Sequence, residues 1–414
     1  MRPGGEEFLF NSLTCKSVRL TKAVSDALCG AAEDEQMRNA LIANGFLVAD
    51  DIDEVAYVKS RFLQRRFSNE LYHLTVNTTM DCNLRCAYCY ESHKPGSRLS
   101  DKMVDSVVAH IYVTHSVSRF KTLRLTLFGG EPLLAFRSVE ALVGKVVELS
   151  ARCGFAALFS VVTNATLVDD RIVRLFAPLD ANFQVTVDGM PIGEGGLARR
   201  ESFKGIVDGL RRLNDETAAT INLRINYDAE ILRGADDMIQ RLLFLDRRRT
   251  PVSLQKIWQV DDDAVSRELM LEAIAKFNRC GFVVNTPGLA TTYQHCYADN
   301  FHQAVVNYDG SVFKCTARDF DPAGRLGVLT EFGVINWDMG RVLERAGLGF
   351  PPCCDDCALL PSCPGFCSQS LLEAKGRGES GYCAFLGKFS VEDVVLLTMK
   401  QRLIRSGLER CEDD

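Results

Sequence analysis

The middle of the chain, from Leu71 to about Val260, alternates short apolar runs with amphipathic segments. Six of the runs are rich in β-branched and aromatic residues, which favours strands. They are His73–Asn77, Leu123–Phe128, Ala157–Val162, Phe183–Val187, Ile221–Asn226 and Val252–Gln259. Between them apolar residues recur at helical spacing, as at Val104, Val107, Val108 and Ile111. This alternation predicts right-handed βαβ units in an α/β fold, here an incomplete, TIM-like (β/α)6 barrel with its chemistry at the carboxyl ends of the strands.

The first 70 residues have a different pattern, with two short extended runs before three helical ones. These are the extended runs Phe8–Phe10 and Ser17–Leu20 and the helical runs Thr21–Cys29, Asp34–Asn44 and Asp53–Phe67. The order predicts a small winged-helix-like module, which is either a structural cap or a surface that binds a peptide as an added strand. The whole chain then divides into four parts: residues 1–70, the barrel at 71–285, a cysteine-rich region at 286–390 and a C-terminal helix at 391–414.

Composition narrows the class of protein. The chain is 47% hydrophobic and 25% charged, as expected for a globular enzyme of two or three domains. Its net charge of −6 gives no basic footprint, so no nucleic-acid partner is predicted. Neither a secretory signal nor a run of about 18 apolar residues is visible, which predicts a cytoplasmic protein without a membrane span. In that setting the 16 cysteines indicate metal ligation rather than disulfides.

Three cysteines follow the first predicted strand directly, at Cys82, Cys86 and Cys89. Three thiolates can hold three irons of a 4Fe–4S cluster and leave the fourth iron open to a small molecule. A zinc knuckle is the alternative, and His93 on a Lys-Pro-Gly loop is its nearest fourth ligand. With Tyr88 just before the third cysteine, the motif resembles that of the radical S-adenosylmethionine (SAM) superfamily. The resemblance implies a 4Fe–4S cluster that binds and cleaves SAM.

Other strand ends resemble the same family. Gly129-Gly130-Glu131-Pro132 follows the second strand and resembles the turn that holds the amino group of SAM: glycines let the backbone approach a ligand, and Glu131 offers a carboxylate. Asn164 after the third strand and Thr186 at the fourth resemble further SAM contacts. Arg199 or Arg200 is a candidate for the SAM carboxylate. Each of these residues could equally belong to an ordinary turn or a charged surface.

The later cysteines resemble the SPASM extension of radical SAM enzymes, which carries two auxiliary 4Fe–4S clusters. The resemblance covers seven cysteines and Gly310. It assigns Cys296, Cys315 and Cys367 to the nearer cluster and Cys354, Cys357, Cys363 and Cys383 to the farther one. The nearer cluster has only three clear ligands, so its fourth iron is open, bound by a substrate thiolate, or held by a residue such as the spare Cys353 or Cys280. A pair of zinc sites is the alternative, because cysteine ligation does not separate zinc from iron–sulfur.

From Leu71 to Phe385 the chain is thus similar to a radical SAM/SPASM maturase. This implies an enzyme with three 4Fe–4S clusters and SAM, reduced by a flavodoxin or ferredoxin. It would cleave SAM to a 5′-deoxyadenosyl radical and abstract a hydrogen from a ribosomally made precursor peptide (a RiPP maturase). The product would carry a thioether, carbon–carbon or carbon–oxygen crosslink. Residues 1–70 would then resemble the precursor-recognition element (RRE) of such enzymes.

Three other functions stay open at this stage. Anaerobic sulfatase maturases form formylglycine and carry an aspartate directly after the second SPASM cysteine, where this chain has Thr316; its nearest acid is Asp319. A radical SAM enzyme acting on a small molecule and a non-catalytic zinc scaffold are the others. A catalytic base is not identified: Asp319, Asp299, His295 and His302 are candidates by location alone.

Overall fold

The computed structural model describes residues 7–30, 34–187, 197–257, 265–285, 296–363, 365–379, 383 and 390–405. The chain forms two compact units. The first comprises Met1–Phe67, Thr286–Asn300 and Leu348–Arg402, and the second Ser68–Asn285, Phe301–Gly347 and Leu403–Asp414. Two unit boundaries lie close to the predicted ones after residues 70 and 285. The predicted cysteine-rich region 286–390, however, is divided between the units.

The described residues contain thirteen strands and thirteen α-helices, numbered in chain order. The strands are β1 (Phe8–Asn11), β2 (Lys16–Arg19), β3 (Leu71–Thr79), β4 (Thr122–Gly129), β5 (Ala156–Thr163), β6 (Ala181–Thr186), β7 (Thr220–Tyr227), β8 (Val252–Lys256), β9 (Val284–Asn285), β10 (Gln303–Val306), β11 (Ser311–Phe313), β12 (Gly327–Leu329) and β13 (Ile335–Trp337). The helices are α1 (Lys22–Leu28), α2 (Glu35–Ala43), α3 (Glu54–Arg66), α4 (Asp101–Ser118), α5 (Phe136–Cys153), α6 (Asp170–Phe176), α7 (Leu197–Glu216), α8 (Ala229–Arg233), α9 (Ala235–Leu242), α10 (Arg267–Arg279), α11 (Met339–Ala346), α12 (Ser368–Gly376) and α13 (Val391–Arg405).

The second unit is built on one mixed sheet. Strands β3 to β9 lie side by side in chain order and are parallel, which confirms the predicted parallel sheet. On the other side of β3 the chain returns as β10, which is also parallel, with Gln303 opposite His73. Strands β11, β12 and β13 then extend the sheet in antiparallel order. In the described chain β9 and β13 are not paired with each other, so the sheet stays open.

Helices α4 and α5 pack with apolar stripes buried, and the stripe on α4 is the one that the sequence predicted. Val104, Val107 and Ile111 of α4 are buried, and so are Val139 and Val146 of α5. Each such side chain contributes about 1.5–3 kcal/mol when it is removed from water. Helix α4 begins where Ser100 accepts a hydrogen bond from the amide of Met103, at 3.2 Å. Strand and helix thus pack as a βαβ layer.

The first unit contains the predicted N-terminal hairpin and helices. Strands β1 and β2 pair antiparallel, and α1 to α3 follow. On α3, Phe62 contacts Phe350 edge-on at 4.6 Å between ring centroids, and the buried Arg66 donates to the carbonyl of Leu348 at 2.8 Å. These contacts hold α3 against residues that follow position 347. The C-terminal helix is α13, and residues 406–414 lie outside the described residues.

None of the described helices has both the length and the apolar composition that crossing a bilayer requires.

Acid is expected to destabilise the second unit through buried histidines. The Nδ1–H of His110 donates to the Gly333 carbonyl at 2.8 Å, and its Nε2 accepts from the Tyr72 hydroxyl at 2.6 Å. Burial lowers the pKa of His110 to about 4 and that of His73 to about 3. Unfolded histidine takes up a proton near pH 6.5, so as pH falls from there the unfolded state binds more protons and folding weakens. The expected loss from pH 7 to 5 is about 2 kcal/mol per histidine.

Urea unfolding of the cluster-loaded enzyme at pH 7 and pH 5 measures this loss. His110→Gln should reduce the loss between the two pH values by about one histidine's share. An unchanged pH dependence in that variant would rule out His110 as a source.

Candidate functional site

A cavity lies at the carboxyl ends of β3 to β8 in the second unit, where a parallel sheet normally holds its chemistry. Its walls come from the loop after β3 and from the last residues of the next five strands. Eight residues predicted from the sequence line it: Cys82, Cys86, Tyr88, Cys89, Gly129, Gly130, Asn164 and Thr186. Glu131 and Pro132 are buried and are not among the lining residues. The side chain of Arg200, like Asp188 and Gly189, lies outside what the structure describes.

Short polar side chains fix the cysteine loop. The Thr79 hydroxyl accepts from the amide of Asp81 at 2.9 Å, and the Asp81 carboxylate accepts from the amides of Cys82 at 2.9 Å and Gly96 at 3.1 Å. Within the loop the amide of Cys89 donates to the carbonyl of Cys86 at 3.0 Å. The three cysteines are therefore placed on one side of a defined turn.

All three thiols line the cavity. Burial raises the pKa of the Cys82 thiol to about 11 and also raises that of Cys89, so binding iron as thiolates would release protons. His93 lies near them, with Nε2 3.6 Å from the sulfur of Cys89. In the described chain no three Cys, His, Asp or Glu side chains converge as ligands of a single ion. Three thiols spread around a cavity fit a multi-atom iron–sulfur cluster better than one zinc ion.

The Gly129-Gly130-Glu131-Pro132 turn packs so closely against the start of the cysteine loop that its two glycines leave no room for a side chain. A Cβ on Gly129, whose φ is +123°, would lie 2.0 Å from the carbonyl oxygen of Thr79, and one on Gly130 would lie 2.3 Å from that of Asp81. The amide of Gly130 donates to Thr79 at 3.0 Å and that of Glu131 to Asp81 at 2.8 Å. The sequence interpretation gave both glycines to a ligand, whereas the space beside them is filled by backbone.

Glu131 forms a hydrogen-bond network at the ends of two strands. Its carboxylate is fully buried and accepts from the amide of Leu133 at 3.1 Å, the hydroxyl of Thr163 at 2.8 Å and the amide of Asn164 at 2.8 Å. Burial raises its pKa to about 7 in spite of these three hydrogen bonds. The carboxylate therefore ties the ends of β4 and β5 together.

Asn164 connects the end of β5 to the cysteine loop. Its Nδ2 donates to Oδ1 of Asn83 at 2.9 Å, and Nδ2 of Asn83 donates to the Thr166 hydroxyl at 2.8 Å. Ala165 stands where the family often has glycine, and it adopts a left-handed φ of 59°. Its carbonyl is approached by α7 at Gly209, where a Cβ would lie 2.0 Å away. This network was not predicted, since it needs contacts across more than 80 residues.

Among the lining residues that the sequence reasoning missed are five with polar or charged side chains. Four end β6, β7 and β8: Gln184, Arg224, Asn226 and Lys256. The fifth, Glu91, follows the cysteine loop, and burial together with the nearby Asp319 raises its pKa to about 8. The strand-end rule alone would have found the first four, because each lies in the last residues of a predicted parallel strand.

Asp319 has a structural role. Its carboxylate accepts from the amides of Ser92 and Phe320, both at 2.9 Å, while the Tyr90 hydroxyl donates to the Thr316 carbonyl at 2.6 Å. Burial alone would raise its pKa, but the hydrogen bonds from Ser92 and Phe320 hold the pKa of Asp319 below its usual value. Asp319 does not line the cavity.

His302 and Asp299 are not among the residues that line the cavity. His302 packs on Tyr72 at 4.8 Å between ring centroids, and Asp299 is buried. His295 lies outside the described residues.

The four cysteines predicted for the farther auxiliary cluster interact within the first unit. Burial is the main reason why the pKa of Cys363 is raised to about 11, and the nearby Cys357 and Cys383 add to this effect. Burial also raises the pKa of Cys354 to about 12, and Cys353, Cys363 and Cys357 add to this. The pKa values of Cys354 and Cys363 are thus affected by neighbouring thiols of the same predicted ligand set.

The cysteines predicted for the nearer cluster are divided between units. Cys296 and Cys367 belong to the first and Cys315 to the second. The sulfur of Cys367 accepts from the amide of Ser370 at 3.4 Å, and that of Cys315 from the amide of Ala317 at 3.3 Å. Hydrogen bonds of this kind tune iron–sulfur potentials. The assignment of these three ligands stays a prediction.

The family is identified by its central domain. Residues 76–225 match the model of the radical SAM superfamily, a span that includes the cysteine loop and the ends of β3 to β6. The open parallel sheet and the thiol-lined cavity at its carboxyl edge agree with that match. The chain therefore contains a radical SAM domain, which spans residues 76–225.

Curated relatives match only part of the chain. An uncharacterized protein of Methanocaldococcus jannaschii is 29% identical over 122 residues, which is 30% of this chain and 40% of the relative. A GTP 3′,8-cyclase of Clostridium perfringens is 29% identical over 27% of this chain and 33% of its own. A serine-type anaerobic sulfatase-maturating enzyme of Klebsiella pneumoniae is 32% identical over 23% and 24%. The chain thus spans less than half the length of these three relatives.

Solved structures share the fold over a larger part of the chain. Native anSMEcpe with bound AdoMet and Kp18Cys peptide has a TM-score of 0.56 at 15% identity, covering 82% of this chain and 97% of the other. Streptococcus suis SuiB bound to precursor peptide SuiA has a TM-score of 0.50 at 12% identity, covering 88% and 93%. At such low identity these likenesses establish the fold alone.

Proposed function

We propose that this enzyme is a peptide maturase that installs a thioether, carbon–carbon or carbon–oxygen crosslink in a ribosomally made precursor peptide. The observation that carries the proposal is the cavity that gathers Cys82, Cys86 and Cys89 with Gly129 and Gly130. Support for a peptide substrate comes from the extent of the structural likeness to two proteins bound to peptides, anSMEcpe and SuiB.

Each lining residue has a defined task in this proposal. Cys82, Cys86 and Cys89 would hold a 4Fe–4S cluster, which when bound supplies the electron that cleaves SAM to methionine and a 5′-deoxyadenosyl radical. The backbone of Gly129 and Gly130 would face SAM. The side chains of Tyr88, Asn164 and Thr186 would contact SAM as well. The hydrogen bonds of Asp81 and Asn83 keep the loop rigid, so that the substrate and SAM meet in a fixed orientation.

The auxiliary clusters and partners complete the proposal. Cys354, Cys357, Cys363 and Cys383 would hold the farther cluster; the nearby thiols of this set that raise the pKa of Cys354 and of Cys363 support this. The set assigned to the nearer cluster is Cys296, Cys315 and Cys367. A flavodoxin or ferredoxin would supply electrons, and residues 1–70 would recognise the precursor peptide.

Asp319→Asn tests the sulfatase-maturase alternative. Asn keeps a side-chain oxygen for the amide of Ser92, so we expect peptide modification within about threefold of wild type and a stability loss of about 1 kcal/mol. Ser92→Ala, which removes a donor from the same contact, should lose a similar amount of stability. A loss of modification of about 100-fold or more, with SAM cleavage intact, would instead identify Asp319 as a catalytic base.

Anaerobic reconstitution followed by iron counting and a SAM-cleavage assay tests the function itself. Three clusters correspond to about twelve irons per chain. Mass spectrometry of peptides encoded beside the gene should then show the loss of two hydrogen atoms and a fragmentation gap between the joined residues. Zinc in place of iron without SAM cleavage would contradict the proposal.

A further inference from the structure

The imidazole of His93 lies beside the cysteine loop, and the proposed function gives it no task. His93 lines the same cavity as Cys82, Cys86 and Cys89. Its Nε2 lies 3.6 Å from the sulfur of Cys89. A hydrogen bond to sulfur is longer than the roughly 2.9 Å that is usual for oxygen, because sulfur is the larger atom. The two side chains are therefore within hydrogen-bond distance.

The backbone on both sides of His93 is tied to other segments of the second unit. The amide of Ser92 donates to the Asp319 carboxylate at 2.9 Å. The amide of Lys94 donates to the carbonyl of Met80, which lies just before the cysteine loop, at 2.9 Å. The half-buried ring is thus held next to the loop by two anchored neighbours.

Iron binding would decide the direction of the hydrogen bond between His93 and Cys89. A cysteine binds iron as a thiolate, which has lone pairs but no proton to donate. Among the described residues Nδ1 of His93 has no hydrogen-bond partner, so the proton of the neutral ring is free to lie on Nε2. The Nε2–H would then donate to the Cys89 sulfur, and a bond to an ionised acceptor is among the stronger ones.

A hydrogen bond to a ligand sulfur changes how easily an iron–sulfur cluster is reduced. Reduction adds one negative charge, part of which lies on the sulfurs, so a donor stabilises the reduced form more than the oxidised one. The sulfur of Cys82 accepts from the amide of Leu84 at 3.4 Å, a backbone donor that no side-chain substitution removes. The donor at Cys89 belongs to a side chain and can be removed.

We propose that His93 tunes the cluster of Cys82, Cys86 and Cys89: its Nε2–H donates to the Cys89 thiolate and makes the cluster easier to reduce. In this step the cluster passes from its 2+ to its 1+ state with one electron from the flavodoxin or ferredoxin, and His93 keeps its proton. His93 acts through Cys89 and is therefore not a catalytic residue. The inference rests on the cluster of the proposed function, but it does not depend on the peptide substrate.

A matched pair of variants at position 93 tests the inference in the cluster-loaded enzyme. His93→Phe keeps a ring without a donor, whereas His93→Gln keeps an N–H close to the place of Nε2. The midpoint potential is measured without SAM at pH 8 by a redox titration read by electron paramagnetic resonance. Burial lowers the pKa of His93, so the wild-type ring is neutral at this pH and a loss of charge does not contribute. The variant with alanine at Cys82, Cys86 and Cys89 supplies the signal of the auxiliary clusters, which is subtracted.

We expect the reduction equilibrium of His93→Phe to fall about tenfold, a shift of about 59 mV to a more negative potential for one electron. His93→Gln should stay within about twofold of wild type. SAM cleavage driven by reduced flavodoxin should fall about tenfold in His93→Phe, because less of the cluster is reduced at a given potential. With excess titanium(III) citrate, a stronger reductant, cleavage should stay within about twofold.

A second measurement needs no substitution. Wild-type enzyme containing ¹⁵N-labelled histidine should show a weak nitrogen coupling to the reduced cluster in pulsed resonance spectra, as a hydrogen bond through sulfur gives. A coupling as strong as that of an iron-bound imidazole would overturn the inference and make His93 a ligand of the fourth iron. The absence of any histidine coupling would overturn it as well.

An unchanged potential in His93→Phe with the cluster assembled would also overturn the inference, while the proposed function would survive. Equal shifts in His93→Phe and His93→Gln would show that the ring matters for packing rather than as a donor. If alanine at all three cysteines removes no cluster signal, the catalytic cluster of the proposed function fails, whatever the variants at position 93 show.

Discussion

Replacement of Cys82, Cys86 and Cys89 by alanine is expected to abolish formation of 5′-deoxyadenosine from SAM. All three thiols line the cavity. Burial raises the pKa of Cys82 and of Cys89, and the nearby Arg85 offsets only part of this effect. Without these thiols nothing in the cavity wall replaces three iron ligands, since His93 would remain alone. We expect activity to fall to background, and iron to fall from about twelve to about eight per chain if the auxiliary clusters persist.

The matched control is Cys153→Ala, which removes a half-buried thiol at the end of α5, outside the cavity lining. Iron counting and chromatography of 5′-deoxyadenosine should leave this variant close to wild type. SAM cleavage that persisted in the triple variant would show that the catalytic cluster lies elsewhere. A loss of nearly all iron would instead show that the remaining cysteines do not hold clusters independently.

The six central strands could be predicted because their signals are local. β-Branched runs such as Leu123–Phe128 and Ile221–Asn226 carry the strand preference themselves, and the observed bounds differ by only a few residues. The parallel order followed from the helices between them. The end of the last predicted run, Trp258–Gln259, lies outside the described residues.

Long-range pairing could not be predicted in this way. Strand β10 joins the sheet beside β3 after more than 200 residues, although Gln303–Val306 has only four residues and no distinctive flanks. Periodicity reports which face of an element is buried, but not which distant strand it meets. The division of residues 286–390 between two units was not predictable for the same reason, because it also depends on contacts between distant parts of the chain.

The candidate site was predictable where its chemistry requires residues at a fixed spacing in the sequence. Cys82, Cys86 and Cys89 define it by spacing alone, and the structure places them in one cavity. The role of Glu131 was not predictable, because its three donors come from residues up to 33 positions away. The same holds for Arg224, which is one charge within a predicted strand until the neighbouring strands place it in the cavity lining.

Gly130→Ala is expected to inactivate the enzyme although alanine has no chemistry of its own. A Cβ at this position would lie 2.3 Å from the carbonyl oxygen and 2.7 Å from the carbonyl carbon of Asp81. Both are backbone atoms, so either the turn or the cysteine loop must move and the hydrogen bond from Glu131 to Asp81 must lengthen. Overpacking of this kind costs about 1–3 kcal/mol, and a displacement of about 1 Å between SAM and the loop can cost about 100-fold in rate.

Gly144→Ala is the matched control for this prediction. Gly144 is an exposed position within α5 where a Cβ would meet nothing within 4 Å, so alanine should raise helix stability by up to about 1 kcal/mol. SAM cleavage and thermal unfolding of the two variants, measured side by side, separate loss of geometry from loss of folding. We expect Gly130→Ala to keep its auxiliary iron and most of its stability while SAM cleavage falls at least about 100-fold. Cleavage near wild type would mean that the turn does not set the position of the cysteine loop, and that the close packing of the two segments serves folding alone.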